Sequence, residues 1–144
     1  MLTVVEKVIL LQDVDIFSEV STGQLASLAG IAEEKDLVQG EAVYHEQDPA
    51  DAMYLVVEGR VRLHRADLEI TVAGPGESFG TWALFDDEPR VSAATPLEDV
   101  HLLQLNKEDF IDLLADNVQI TQGVLKALVN RVRGLLGRVG GGGS

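Results

Sequence analysis

Apolar positions in the first 34 residues recur at helical spacing, and from Asp36 onward the period drops to two. Leu2 to Leu11 carries apolar side chains on most faces, which predicts a short helix packed against the rest of the chain. Asp13 to Phe17 interrupts it. Ser21, with Gln24 three residues later, has the form of a capping box, and Leu25, Leu28 and Ile31 continue a helix to Glu34. Short β-rich runs follow at Ala42 to His45, Met53 to Val57, Arg60 to His64 and Leu68 to Val72. The segments between them are rich in Gly, Pro and Asp and read as turns. Glu98 to Leu105 is a last strand, and strands at such regular spacing imply a barrel or sandwich. Asn106, with Asp109 behind it, caps a helix through Leu114, and Asn117 caps another to about Gly137.

The final helix repeats Val118, Leu125, Val132 and Val139, with Leu128 and Leu135 on the second seam position and Thr121 completing it. That three-heptad pattern either pairs residues 118–139 with a second copy in a homodimer or lies on the barrel of its own chain. Gly140 to Ser144 is a flexible Gly/Ser linker, so the domain is taken as residues 1–139.

Of the 144 residues, 46% are hydrophobic and 24% charged, enough for one domain with one core. No apolar stretch approaches the ~20 residues of a membrane helix, and the N-terminus has no cleavable leader, so a cytoplasmic location without membrane insertion is expected. The absence of cysteine excludes disulfides and thiolate metal sites. All 24 acidic residues lie at or before Asp116, against seven Lys or Arg there, a net charge of −17. Residues 117–144 hold Lys126, Arg131, Arg133 and Arg138 and no acid. So acidic a body argues against nucleic-acid binding by this chain alone, and the basic tail complements the dipole of the last helix.

Candidate chemistry is sparse. His45, His64 and His101 are scattered, with no His-x-His or His-Glu-x-x-His spacing, so no metal site is expected. No Ser stands in a Gly-x-Ser-x-Gly turn, and the chain reads as a non-enzyme. Arg60, Arg62 and His64 alternate along one strand and form a solvated outer face.

Gly40, then Met53 to Val61, then Gly74-Pro75-Gly76-Glu77-Ser78-Phe79-Gly80, then Ala83-Leu84-Phe85 and Pro89-Arg90 follow one another in an order and spacing that resemble the cyclic-nucleotide-binding domain. The likeness runs over roughly residues 14–138. It implies a mainly β fold, a double-stranded β-helix (jelly-roll or β-roll). N-terminal helices, a short phosphate-cassette helix and two C-terminal helices would flank it. It also implies a ligand site at Phe79, Gly80, Thr81, Trp82, Ala83, Leu84, Arg90, Val91 and Ser92.

The chemistry of such a cassette follows from its parts. A cyclic phosphodiester carries one negative charge, to which a helix N-terminus offers free N–H groups and a guanidinium offers charge-assisted hydrogen bonds. Gly80 permits close backbone approach, Ala83 leaves its N–H reachable, and Arg90 is the only Arg or Lys between residues 66 and 106. The competing assignment for Arg90 is an ion pair with Asp86, Asp87 or Glu88. Three positions depart from the family pattern. Thr81 stands where the family has a Glu that binds the ribose 2′-hydroxyl, Trp82 replaces an aliphatic residue and is expected to fill the pocket, and Ala93 replaces a hydroxyl residue. Ser92, one residue earlier, would point to the opposite face of the strand.

Two functions remain open. One is a regulatory sensor domain, part of a larger protein, that binds a small anion such as cyclic AMP or cyclic GMP with weakened or altered affinity. The other is a ligand-free interaction module that dimerises through its last helix.

Overall fold

The computed structural model describes residues 1–139. The linker at 140–144 and the side chains of Arg138 and Val139 lie outside the described residues. Helix α1 (Val4–Gln12) leads through a 3-10 turn (Asp15–Phe17) to α2 (Thr22–Ile31). Strands β1 (Ala32–Leu37), β2 (Ala52–Glu58), β3 (Val61–Arg65), β4 (Leu68–Ala73) and β5 (Ser78–Phe79) follow. After a second 3-10 turn (Thr81–Leu84) come β6 (Ala93–Pro96), β7 (Val100–Asn106), α3 (Lys107–Asp116) and α4 (Val118–Val139).

The strands form two antiparallel sheets, β1-β7-β2-β5 and β4-β3-β6, the two faces of a β-roll. Side chains on the central strands alternate between two cores. Met53 and Leu55 of β2, with Leu103 and Leu105 of β7, join Leu11, Phe17, Leu28, Phe110 and Ile120 beneath the helices. Ala52, Tyr54 and Val56, with Val100 and Leu102, fill the interior of the roll beside Tyr44 and Phe79. Burial on both faces explains why Met53 to Val57 is apolar without a break. Gly59 makes the turn between β2 and β3 at φ +87°, and a Cβ there would lie 2.6 Å from the Asp99 carbonyl oxygen.

Several boundaries differ from expectation. The helix predicted to reach Glu34 stops at Ile31, because Ala32 to Leu37 pairs residue by residue with β7. Ala42 to His45 makes one isolated bridge, Tyr44 to Ala94, in place of a strand. Neither Ser21 nor Asn106 uses its side chain as a cap. The capping box is instead at α1, where Thr3 and Glu6 bond reciprocally. Asn117 ends α3, donating from Nδ2 to the Leu113 carbonyl oxygen at 2.9 Å.

Of the predicted α4 seam, Val118, Leu125, Val132 and Leu135 are exposed, whereas Leu128 packs on the chain's own core. Ile120, Val124 and Ala127 are buried in the chain's own core and Leu128 packs against it, while Leu125, Val129, Val132 and Leu136 face outward. Among the described residues no helix is long and apolar enough to cross a membrane.

Candidate functional site

The site is built around Arg90. Its backbone is fixed by two hydrogen bonds, Gln47 N–H donating to the Arg90 carbonyl at 2.8 Å and Arg90 N–H donating to the Asp48 carbonyl at 2.9 Å. From this anchor the side chain turns inward and is only 6% exposed. Nη2 donates to the Ala52 carbonyl at 2.5 Å and Nη1 to the Gly80 carbonyl at 3.3 Å. The guanidinium carbon lies 3.9 Å from the centre of the Tyr44 ring and 6.0 Å from that of Tyr54. Nε is buried and has no hydrogen-bond partner.

Among the described residues no carboxylate pairs with this cation, so the ion pair with Asp86, Asp87 or Glu88 does not form. Lys107 competes for that segment, with Nζ 2.6 Å from both the Asp86 carbonyl oxygen and Asp87 Oδ1. Desolvating a guanidinium costs several kcal/mol, and two carbonyls with one aromatic face offset it only in part. Burial pushes the Tyr44 and Tyr54 hydroxyls up in pKa, and the adjacent Arg90 charge offsets part of that rise.

Gly80 sits at φ +71°, and a Cβ on it would approach Arg90 Nη1 to 2.7 Å, so the bare backbone is what admits the guanidinium. The cassette helix is one 3-10 turn, Thr81–Leu84, too short to carry much dipole. The Ala83 N–H, expected to be free, donates to the Gly80 carbonyl at 3.2 Å. Electrostatic attraction for an anion therefore rests on the side chain and not on the turn.

A cavity of about 740 Å³ opens beside Arg90. Phe79, Gly80, Thr81, Trp82, Ala83, Val91 and Ser92 line it. Leu84 does not, because it is buried among the helices. Ser92 precedes β6, so strand alternation does not apply to it and it reaches the cavity wall. Trp82 does not plug the space: it is 55% exposed and stacks under Arg131 of α4. The cassette also touches the helical layer through Phe85, edge-on to Phe110 at 6.0 Å.

The three histidines stand apart from one another. His45 contacts Asp48, His64 bridges the Ala66 carbonyl and Thr95 Oγ1, and His101 lies between Asp36 and Glu34. Arg60 and Arg62 are surface residues near Glu98 and Glu69.

A family model described as the cyclic nucleotide-binding domain matches residues 34–117. The chain belongs to that family. Similar proteins include the cyclic AMP receptor protein of Thermus thermophilus, 37% identical over 100 residues, covering 66% of this chain and 46% of the relative. The CRP-like cAMP-activated global transcriptional regulator of Mycobacterium tuberculosis is 28% identical over 123 residues, covering 82% of this chain and 55% of that protein. The chain spans about half the length of these curated relatives. Among solved structures, the N-terminal domain of a transcriptional regulator from Streptomyces coelicolor superposes with a TM-score of 0.83 at 33% identity, covering 88% of this chain and 94% of that one.

Within this cyclic nucleotide-binding domain, sequence reasoning missed Tyr44, the Ala52 carbonyl, Asp15 and Arg131. The first two come from the loop and strand 38 or more positions before Arg90, and nothing local in their sequence marks them as neighbours of a cation.

Proposed function

We propose that this domain is a regulatory sensor, non-enzymatic and part of a larger cytoplasmic protein, that binds a small anion in the cavity beside Arg90. One observation carries the reading: a buried guanidinium, unpaired with any acid among the described residues and with an unsatisfied Nε–H, belongs to a residue that lines a ligand-sized cavity. An orphan donor of this kind costs about 1–3 kcal/mol, and an anion would recover it. The names of the relatives point to cyclic AMP as the first ligand to test. Thr81 supplies no carboxylate for a ribose hydroxyl, and losing a charged hydrogen bond of ~1.5–3 kcal/mol lowers affinity roughly ten- to hundred-fold. Cyclic nucleotide binding is therefore weak, in the range calorimetry at high protein concentration detects. Coupling to an output runs from Leu84 and Phe85 into the Phe110 layer and on to α3 and α4, through a helix arrangement that the ligand favours.

A second reading, self-association through α4, has its own support. Leu125, Val129, Val132 and Leu136 are exposed at four-three-four spacing along one face of the helix. Such a seam admits a second copy of the helix.

Titrating cyclic AMP and cyclic GMP into the domain and into Arg90→Ala tests the sensor. Saturable heat and amide shifts over residues 80–90, absent from the variant, support it. No response at millimolar nucleotide, with sedimentation reporting a dimer, leaves the interaction module as the function.

A further inference from the structure

The mouth of the cavity holds a contact that the anion site does not use. Arg131 of α4 lays its guanidinium over the Trp82 indole, its carbon 4.9 Å from the ring centre, and Nη1 stands 3.5 Å from Asp15 Oδ2. Three separate elements meet there: the first 3-10 turn, the cassette turn and the last helix. Trp82, Arg131, Asp15 and Arg90 all line the same cavity.

Neither half of this contact is a strong structural tie. The ion pair is long and exposed, and a cation over a half-exposed ring is among the weaker aromatic contacts. Its position is more informative than its strength. A guanidinium is planar and covers one face of the indole, as a flat ligand group stacked there would. A purine on that face makes stronger stacking contact than a solvated cation does.

We propose that Trp82 and Arg131 are a specificity-determining pair, the indole serving as platform for the flat aromatic part of a ligand whose anionic part meets Arg90, and Arg131 covering that platform until the ligand arrives. The proposal rests on the sensor reading above and defines its ligand class: one anionic group joined to a planar heteroaromatic ring. Inorganic phosphate has no ring and leaves Arg131 in place. A cyclic nucleotide displaces it, which severs the Trp82 link between the cassette and α4.

Trp82 is the only tryptophan in the chain, so its fluorescence reports this contact alone. Without ligand, Arg131→Ala is expected to raise acrylamide quenching of Trp82 about twofold, with Arg131→Lys intermediate because ammonium is not planar. Unchanged quenching in R131A overturns the pair whatever the cavity binds. With ligand, cyclic AMP or cyclic GMP is expected to shift the emission while inorganic phosphate does not. R131A, relieved of the competing cation, should bind nucleotide about two- to five-fold more tightly, whereas Trp82→Ala should bind more weakly. Far-UV circular dichroism and thermal melts of each variant separate a local effect from misfolding. Arg90-dependent nucleotide binding that leaves the emission unmoved and is indifferent to R131A overturns the pair and leaves the sensor standing. Absence of any binding by calorimetry overturns the sensor, and the ligand class with it, while the quenching arm still decides whether the contact exists.

Discussion

Replacing Arg90 by Met tests whether the buried cation serves stability or binding. The variant loses two hydrogen bonds from a charged donor, at about 1.5–3 kcal/mol each, and a desolvated contact with Tyr44 of about 2 kcal/mol. It regains the desolvation of the guanidinium, several kcal/mol, and the orphaned Nε, about 1–3 kcal/mol. Methionine fills much of the same volume with a flexible apolar chain. The two sides nearly cancel, so the expected change in unfolding free energy is within about 2 kcal/mol of zero. Urea denaturation followed by circular dichroism measures it, with an unchanged slope as the sign of an unchanged fold. Ligand at a hundred times its dissociation constant should stabilise the wild type by about 2.7 kcal/mol and the variant not at all. A loss above ~4 kcal/mol in R90M, with ligand stabilisation retained, would refute the reasoning and make Arg90 a structural strut.

Three further outcomes are expected. Gly59→Ala forces a side chain into a left-handed turn and against the Asp99 carbonyl, so urea denaturation should show more than ~2 kcal/mol of destabilisation, and an unmoved midpoint contradicts the turn geometry. Partial burial disfavours the charged ring of His101, but the hydrogen bonds and charges of Asp36 and Glu34 outweigh it and hold its pKa above the ordinary 6.5. A raised pKa means stability that is whole below 6.5 and is lost as pH climbs through the raised value. Urea midpoints measured from about pH 5.5 to about pH 8.5 should therefore fall with pH in the wild type and flatten in His101→Gln. At the acid end Glu34, whose pKa is lowered by the Leu2 N–H and by His101, contributes stability that is lost as pH falls through its own value. Val129→Asp places a charge in the α4 seam and should weaken self-association at least tenfold or so by sedimentation; a wild-type chain that is monomeric at high concentration removes the seam reading.

The roll and the order of its elements were legible because β2 and β7 are apolar on both faces and the turn glycines interrupt them at fixed intervals. β1 was hidden because Glu33, Lys35 and Asp36 give it no apolar alternation; pairing with β7 holds it in place instead. Arg90 stood out as the lone cation in its stretch of sequence, but folding brings Arg131 of α4 to the same cavity and Lys107 to the segment just before it. What it rests on did not stand out, since the Ala52 carbonyl and the Tyr44 ring are backbone and packing features with no side-chain chemistry to mark them. Trp82 was read from size alone as a pocket filler. The outcome turned on a cation from α4, a partner that only the tertiary fold brings to the cassette. On α4 the chain's own core takes Leu128 out of the predicted seam, while Val118, Leu125, Val132 and Leu135 stay exposed.

Three carboxylates, those of Asp15, Asp86 and Glu88, share the cavity wall with the two arginines. Passage past them grows harder with every extra negative charge on the visitor, and added salt, with a screening length of about 8 Å at physiological strength, eases it. On the sensor reading proposed above, a monoanion with a neutral body would enter more readily than a nucleoside triphosphate, so that the acidic wall would act as a sieve for valence.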